Sequence, residues 1–321
     1  MIYSVRHVTR FRYSEPVTES VMEVRMQPRT EGSQRCLSFE LRTTPRTWPL
    51  SFADDLQNRV HHFDVPDRHT QLTVRAEALV EIRPPDPLPD PLDPAAWDLL
   101  DAMTATDEYW DLLQPSHFAR STDQLRTLAR DLRVFRGADP LSTLRDLTTA
   151  VHDAFEYDTM STRVDSPIDQ ALASRHGVCQ DFAHITIALV RELGIPCRYV
   201  SGYLYHRQED QDRSPPGATH AWVEALLPGL GWVGFDPTND VPVRDRHIRV
   251  AIGRDYADVP PTRGVFKGRA ETELAVAVRV VPSEAPSPEL IDEEDAEPVY
   301  HRAPEPPHLP DAELQEQPQQ Q

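Results

Sequence analysis

Apolar and polar residues alternate along most of the first eighty positions. Ile2–Tyr13, Val17–Gln27, Cys36–Arg42, Arg59–Val65 and Gln71–Ile82 each follow a period near two, the pattern of strands with one buried face. Ser14-Glu15-Pro16, Thr30-Glu31-Gly32-Ser33 and Pro66-Asp67-Arg68 interrupt them with residues that favour turns. The pattern predicts a small antiparallel β-sandwich over residues 1–83. His61 and His62 are adjacent, so in a strand they point to opposite faces and read as ordinary strand residues.

Residues 84–94 carry six prolines in eleven positions, which excludes a helix interior or a central strand and predicts a stiff connector. Beyond it the period lengthens. Asp139-Pro140 supplies an N-cap acid and a first-turn proline, and Leu141, Leu144, Leu147, Val151 and Phe155 follow on roughly one face. Ser166-Pro167 opens a second, short helix that stops near His176-Gly177. A third is predicted from about Val178 to Leu193, with Gly194 and Pro196 beyond its end. Strands follow at Cys197–Tyr205, Thr219–Leu227 and Trp232–Asp236, the last two joined through Pro228-Gly229-Leu230-Gly231, and Leu274–Val281 closes the folded part. Helices first and antiparallel strands after make residues 95–281 an α+β domain.

Composition adds exclusions. The chain has 321 residues, 39% of them hydrophobic, with 33 basic and 52 acidic side chains and a net charge of −19. Eleven acidic residues, one basic residue and nine prolines lie in 282–321, leaving 32 basic and 41 acidic residues, or −9, for the rest. Residues 282–321 therefore read as an acidic, disordered tail. An acidic surface argues against nucleic acid as partner. No long apolar run predicts a membrane helix, and the N-terminus lacks the order of a secretory signal, so a cytoplasmic protein is expected. Cys36, Cys179 and Cys197 are an odd set without C-x-x-C spacing. Neither a disulfide framework, a metal site nor a cofactor is implied. Lys267 is the single lysine, so the protein offers almost no ε-amine of its own.

Cys179 falls in the first turn of the third helix, where unpaired N–H groups and the helix dipole favour thiolate. Gly177 allows close backbone approach just before it. His220 opens one hairpin strand and Asp236 ends the other, as a base and its orienting carboxylate require. A four-residue loop at Pro228–Gly231 would put His220 and Asp236 on opposite faces. The chemistry therefore predicts a loop of odd length or a bulge.

Four segments occur in order: Gly177-Val178-Cys179-Gln180-Asp181-Phe182-Ala183-His184, Gly194-Ile195-Pro196-Cys197-Arg198-Tyr199-Val200-Ser201-Gly202-Tyr203, His220-Ala221-Trp222-Val223-Glu224 and Gly231-Trp232-Val233-Gly234-Phe235-Asp236-Pro237-Thr238-Asn239. Together they resemble the bacterial transglutaminase-like proteins, relatives of the papain-like cysteine proteases. The N-terminal region resembles the β domain that precedes the core in that family. Gln57, however, stands where the family's D-x-x-G-N segment usually has glycine. The resemblance implies Cys179 as nucleophile, His220 as general base and acid, and Asp236 as the group orienting the imidazole. It also implies a peptide or protein amide substrate and a thioester acyl-enzyme.

Gln180 and Tyr157 are the side-chain candidates for stabilising the oxyanion, beside backbone N–H groups at the helix start. His184 is expected to pack or cap. Glu224 shares the face of His220, and Trp222 and Trp232 read as core or pocket wall. Hydrolysis, as in a cysteine peptidase or amidase, is the expected outcome, with amine transfer by a protein-glutamine transglutaminase or a non-catalytic peptide-binding role as the alternatives; the oligomeric state stays open.

Overall fold

A computed structural model describes residues 1–207, 209–283, 299–302 and 314–319. Its strands and helices follow in chain order: β1 (Ile2–Val24), β2 (Gln34–Thr44), β3 (Leu50–Ala53), β4 (Arg59–Val65), β5 (His69–Ile82), α1 (Ala96–Thr104), α2 (Trp110–Leu113), α3 (Asp123–Asp131) and α4 (Pro140–Ala154). Next come β6 (Glu156–Tyr157), α5 (Ile168–Ser174), β7 (His176–Gly177), α6 (Cys179–Glu192), β8 (Cys197–Leu204), β9 (His220–Leu227), β10 (Gly231–Asp236), β11 (Val241–Pro242) and β12 (His247–Gly253). The chain closes with β13 (Thr262–Lys267), β14 (Thr272–Pro282), β15 (Val299–Arg302) and β16 (Leu314–Glu316). The architecture is the expected α+β.

The first two expected strands are one. In β1 the odd positions Tyr3, Val5, His7, Thr9, Phe11 and Tyr13 are buried, then the even positions Ser20, Met22 and Val24. A strand changes its buried face only by an added residue. The register shifts between Arg12 and Val17, and Glu19 takes φ +50°. Beyond this bend β1 serves a second sheet. Its first half pairs with β5 and β14, its second half with β4 and β13. The two sheets bury Phe11, Tyr13, Met22, Phe63, Leu72 and Phe266 in one cluster, giving the sandwich its core.

Two boundaries differ from expectation. β13 and β14 belong to this N-terminal sheet system rather than to the α+β core, because the unpaired edges of β1 accept them. The 282–321 tail was expected to be disordered throughout. Val299–Arg302 and Leu314–Glu316 instead pair with β14 and β13, and Gln317 N–H donates to Gly264 O at 2.7 Å. The remainder of the tail lies outside the described residues. The connector 84–94 is irregular, with Leu88 and Leu92 resting against the core.

The core is built around α6. Every residue from Cys179 to Arg191 is buried, as expected of a helix surrounded on all sides. α4, α5 and the sheet β11-β10-β9-β8-β12 enclose it. Phe182, Ile185 and Leu189 are fully buried there, each contributing roughly 1.5–3 kcal/mol of transfer free energy. Ala221, Val223 and Ala225 of β9 face the helix, while Trp222 joins Val200 and Ile252 on the opposite face, toward Leu56 of the N-terminal region. Gly202 makes that packing possible, since a Cβ there would lie 2.2 Å from Ile248 O and 2.5 Å from the Trp222 ring. A further cluster joins Tyr3, Val80 and Ile82 to Tyr203, Ile248 and Val250. The core sheet thus lies between helices and the N-terminal β region.

Candidate active site

The helix carrying Cys179 starts where a carboxylate holds it. Asp181 Oδ2 accepts the Val178 N–H at 2.9 Å and the Thr162 hydroxyl at 2.5 Å. This satisfies one of the backbone donors that a helix start leaves free. Burial pushes the Asp181 carboxyl up to about 6, against the hydrogen bonds from Thr162 and Val178. Gly177 is required just before the helix, because a Cβ would sit 2.9 Å from the Asp181 Cβ. Its backbone pairs in parallel with Tyr157, and Asp158 N–H donates to Gly177 O at 3.0 Å. This bridge brings Tyr157 to the start of α6.

The hairpin has the odd loop that the chemistry needs. Gly231 pairs with Leu227, leaving three residues between the strands, and the same register continues to Phe235–Val223. His220 and Asp236 consequently share a face. His220 Nε2 lies 2.7 Å from Asp236 Oδ2, and both side chains are almost fully buried. The other ring nitrogen, Nδ1, is not taken up by any nitrogen or oxygen among the described residues, and the Cys179 side chain is the group that approaches the ring. Burial disfavours the imidazolium, but Asp236 and then Cys179 outweigh it and raise His220 to about 10. Cys179 is thus close enough to act on the charge of the ring.

Asp236 is held by more than His220. Its Oδ1 accepts the Thr238 and Asn239 N–H groups at 3.0 and 3.2 Å. Its Oδ2 also accepts the Asn239 amide at 2.8 Å and faces His247 Nε2 at 3.2 Å. Burial opposes the carboxylate, yet the charge and hydrogen bonds of His220 and His247 keep it well below the usual range. His247 is shifted the other way: burial lowers it, and Asp236 only partly compensates.

The remaining candidates separate. Gln180 is spent, its amide donating to Val164 O at 3.0 Å. Tyr157 is half-buried, and burial followed by the Cys179 charge raises its phenol. His184 both packs and caps, stacking on Phe118 and accepting the Tyr256 N–H at 3.2 Å. Glu224 belongs to a different network, fully buried between Arg198 and Arg249, with Arg198 over the Trp232 ring. Burial raises Cys36 to about 11 and Cys197 to about 12. His61 is buried and His62 is not, as their adjacency in a strand requires.

Sequence reasoning assigned no role to Asn239 or His247. Asn239 stood inside a quoted motif, whereas His247 opens a separate strand and no spacing signal ties it to Asp236. One atom each from His220, Asp236 and His247 lies within 4.8 Å of the others, close enough in principle for a cation. Both imidazoles already face the same carboxylate oxygen, however, and a cation would have to displace those contacts. Among the described residues no helix is long and apolar enough to cross a membrane.

A thiol at a central helix start, beside a histidine–aspartate pair on an antiparallel sheet, is the arrangement of the papain-like class. Residues 126–237 match the transglutaminase-like superfamily, and residues 3–81 match the bacterial transglutaminase-like N-terminal region. An uncharacterized protein of Mycobacterium leprae is 33% identical over 277 residues, covering 86% of this chain and 97% of its own. A protein-glutamine gamma-glutamyltransferase of Pseudomonas aeruginosa is 30% identical over 175 residues, covering 50% of this chain and 25% of its own. The crystal structure of a Cytophaga hutchinsonii protein, proposed to be a cysteine protease, has the same fold. Its TM-score is 0.69 at 21% identity, covering 92% of this chain and 95% of that one. The chain belongs to the bacterial transglutaminase-like proteins, with their N-terminal β region and transglutaminase-like core.

Proposed function

We propose that the protein is a thiol-dependent acyl-transfer enzyme in which Cys179, His220 and Asp236 form the catalytic triad. The observation that carries this reading is the His220 ring, bound to Asp236 through Nε2 and left free of nitrogen and oxygen partners at Nδ1, beside the Cys179 thiol at a helix start. His220 takes the Cys179 proton, Cys179 Sγ attacks the carbonyl carbon of a peptide or protein amide, and the carbonyl π pair moves onto oxygen. The Cys179 and Gln180 N–H groups precede the first full helical bond, from Phe182 N–H to Val178 O. The helix ladder does not use them, so they suit the oxyanion. Tyr157 is the side-chain candidate for the same oxygen. Its raised phenol keeps its proton and can donate.

The C–N bond then breaks as His220 gives its proton to the leaving nitrogen, leaving a thioester. For turnover, His220 takes a proton from the acceptor as it attacks the thioester, the C–S bond breaks to release the Cys179 thiolate, and His220 returns the proton to the sulfur. Water as acceptor makes a peptidase or amidase, the reading preferred here. An amine acceptor makes a transferase, the activity in the name of the Pseudomonas aeruginosa relative.

Mass spectrometry after exposure to a peptide amide electrophile tests the assignment. Label on Cys179 but not on Cys36 or Cys197, lost in Cys179→Ala and reduced in His220→Ala, is expected. Equal labelling of the three thiols would instead favour a non-catalytic peptide-binding protein. With a primary amine present, amide product identifies a transferase and free acid a hydrolase.

A further inference from the structure

We propose that His247 is a positioning residue: as a neutral Nε2–H imidazole it donates to the Asp236 oxygen that also receives His220. This rests on the triad reading above and adds a fourth side chain to it.

The tautomer follows from the two partners of the ring. Nδ1 accepts the Arg244 backbone N–H at 3.4 Å, so it carries a lone pair rather than a proton. Nε2 then carries the proton and points it at Asp236 Oδ2, 3.2 Å away. A neutral imidazole has one donor and one acceptor, and here each has its match. The ring is fully buried and stands edge-on to Trp222, with centroids 5.3 Å apart.

The N-terminal β region sets where this ring stands. β12 is an edge strand of the core sheet, and its outer backbone groups need partners. Side-chain amides supply them. Gln34 accepts the Arg249 N–H and donates to Arg249 O, each at 2.8 Å. Asn58 does the same at Ile252, also at 2.8 Å in both directions. Two amides thus hold the strand that begins with His247.

The effect on chemistry runs through charge. Three hydrogen-bond donors apart from the two imidazoles still hold Asp236, namely the Thr238 and Asn239 N–H groups and the Asn239 amide. Removing His247 therefore leaves the carboxylate in place with more negative charge on Oδ2. The charged and titratable groups around the pair are Cys179 from α6, Tyr157 from β6, Arg246 next to His247 in sequence, and His206 with Asp212 from the loop after β8. None of these donates to Asp236 in place of His247. A more negative Oδ2 holds the His220 proton more tightly, which slows its transfer to and from substrate.

The test reads the alkylation rate of Cys179 by iodoacetamide against pH in the full chain. His247→Phe fills the space without the donor, and His247→Gln restores an N–H. The alkaline limb, where His220 loses its proton, is expected to move up by ~0.5 pH or more in His247→Phe and to return within ~0.2 in His247→Gln. An unchanged limb in His247→Phe, or a loss that Gln does not rescue, would overturn the inference while leaving the triad standing. Failure of the triad itself has a separate signature, a wild-type Cys179 rate indifferent to His220→Ala. If His247→Phe does not fold, nitrogen-15 NMR of imidazole-labelled wild-type protein decides. One histidine protonated at Nε2, bare at Nδ1 and not titrating from pH 5 to 8 is expected. A His247 ring protonated at Nδ1, or titrating like a free imidazole, would overturn it.

Discussion

Asn58 and Ile252 exchange two hydrogen bonds across the boundary between the N-terminal β region and the core sheet, each 2.8 Å long. Asn58 behaves there as one residue of a missing neighbouring strand. Its own amide group and backbone are fixed by Asp54, which accepts from both, while Arg29 donates to its carbonyl oxygen. The asparagine of the D-x-x-G-N segment is thus a docking device rather than a turn residue alone.

Asn58→Ala leaves the Ile252 N–H and C=O buried without partners. At about 1–3 kcal/mol for each of these two unsatisfied groups, the loss should be roughly 2–6 kcal/mol. Urea unfolding measures it. A change below about 0.5 kcal/mol would mean that water replaces the amide without penalty.

Gln57 sits at φ +61°, the left-handed region that disfavours side chains. Its N–H still closes the turn onto Asp54 O at 2.8 Å, so the departure from glycine leaves the turn intact. Gln57→Gly relieves the strain but adds freedom to the unfolded chain, and the net stabilisation should be ~0.5 kcal/mol, at most about 1. A lower denaturation midpoint in Gln57→Gly contradicts this.

Glu224 accepts from both Arg198 and Arg249 and is fully buried. Glu224→Gln keeps the shape and leaves two arginines facing a neutral amide. Breaking a buried ion pair from one side costs about 3–5 kcal/mol. Arg198 also contacts Glu31, which puts the expected loss near the lower end. Thermal melting of the variant should fall accordingly, with no change in which cysteine reacts.

Asp181 gives a pH dependence whose sign can be stated. Its folded value, about 6, is raised above the ordinary carboxylate value, so between pH 4 and 6 the folded protein holds a proton that the unfolded chain has released. Its contribution is therefore most favourable at low pH and is lost as pH rises through 4 to 6. Asp181→Asn removes the titration and keeps an acceptor for the Val178 N–H. Wild type should lose roughly 2–2.5 kcal/mol relative to Asp181→Asn between pH 4 and 7. Denaturation curves at the two pH values test this, and a difference independent of pH would refute it.

The helices that mattered were visible because their ends are written locally. Asp139 accepts the Leu141 and Ser142 N–H groups at 3.0 Å, and α4 begins at Pro140. α6 starts at Cys179 and is followed by Gly194 at φ +78°. α1, α2 and α3 carry little periodic signal, being short segments with few buried residues, two each in α1 and α3 and none in α2. Ser14-Glu15-Pro16 has the composition of a turn, yet it forms a bend within β1. In the fold its flanks stay paired on both sides, and the chain has no need to reverse.

Sequence alone determined the period of each element, the start of α6 under Cys179 and the parity that the His220–Asp236 hairpin required. Those are properties of neighbouring residues and of the backbone repeat. Tertiary structure decided which strands pair, and so moved β13 and β14 onto β1 across some 240 residues or more of chain. It also decided that His247 meets Asp236 and that Asn58 and Gln34 cap β12. Periodicity records which face of a strand is buried but not against what, because backbone hydrogen bonds are the same for every sequence. Contacts made by buried polar side chains arise only once that pairing is chosen.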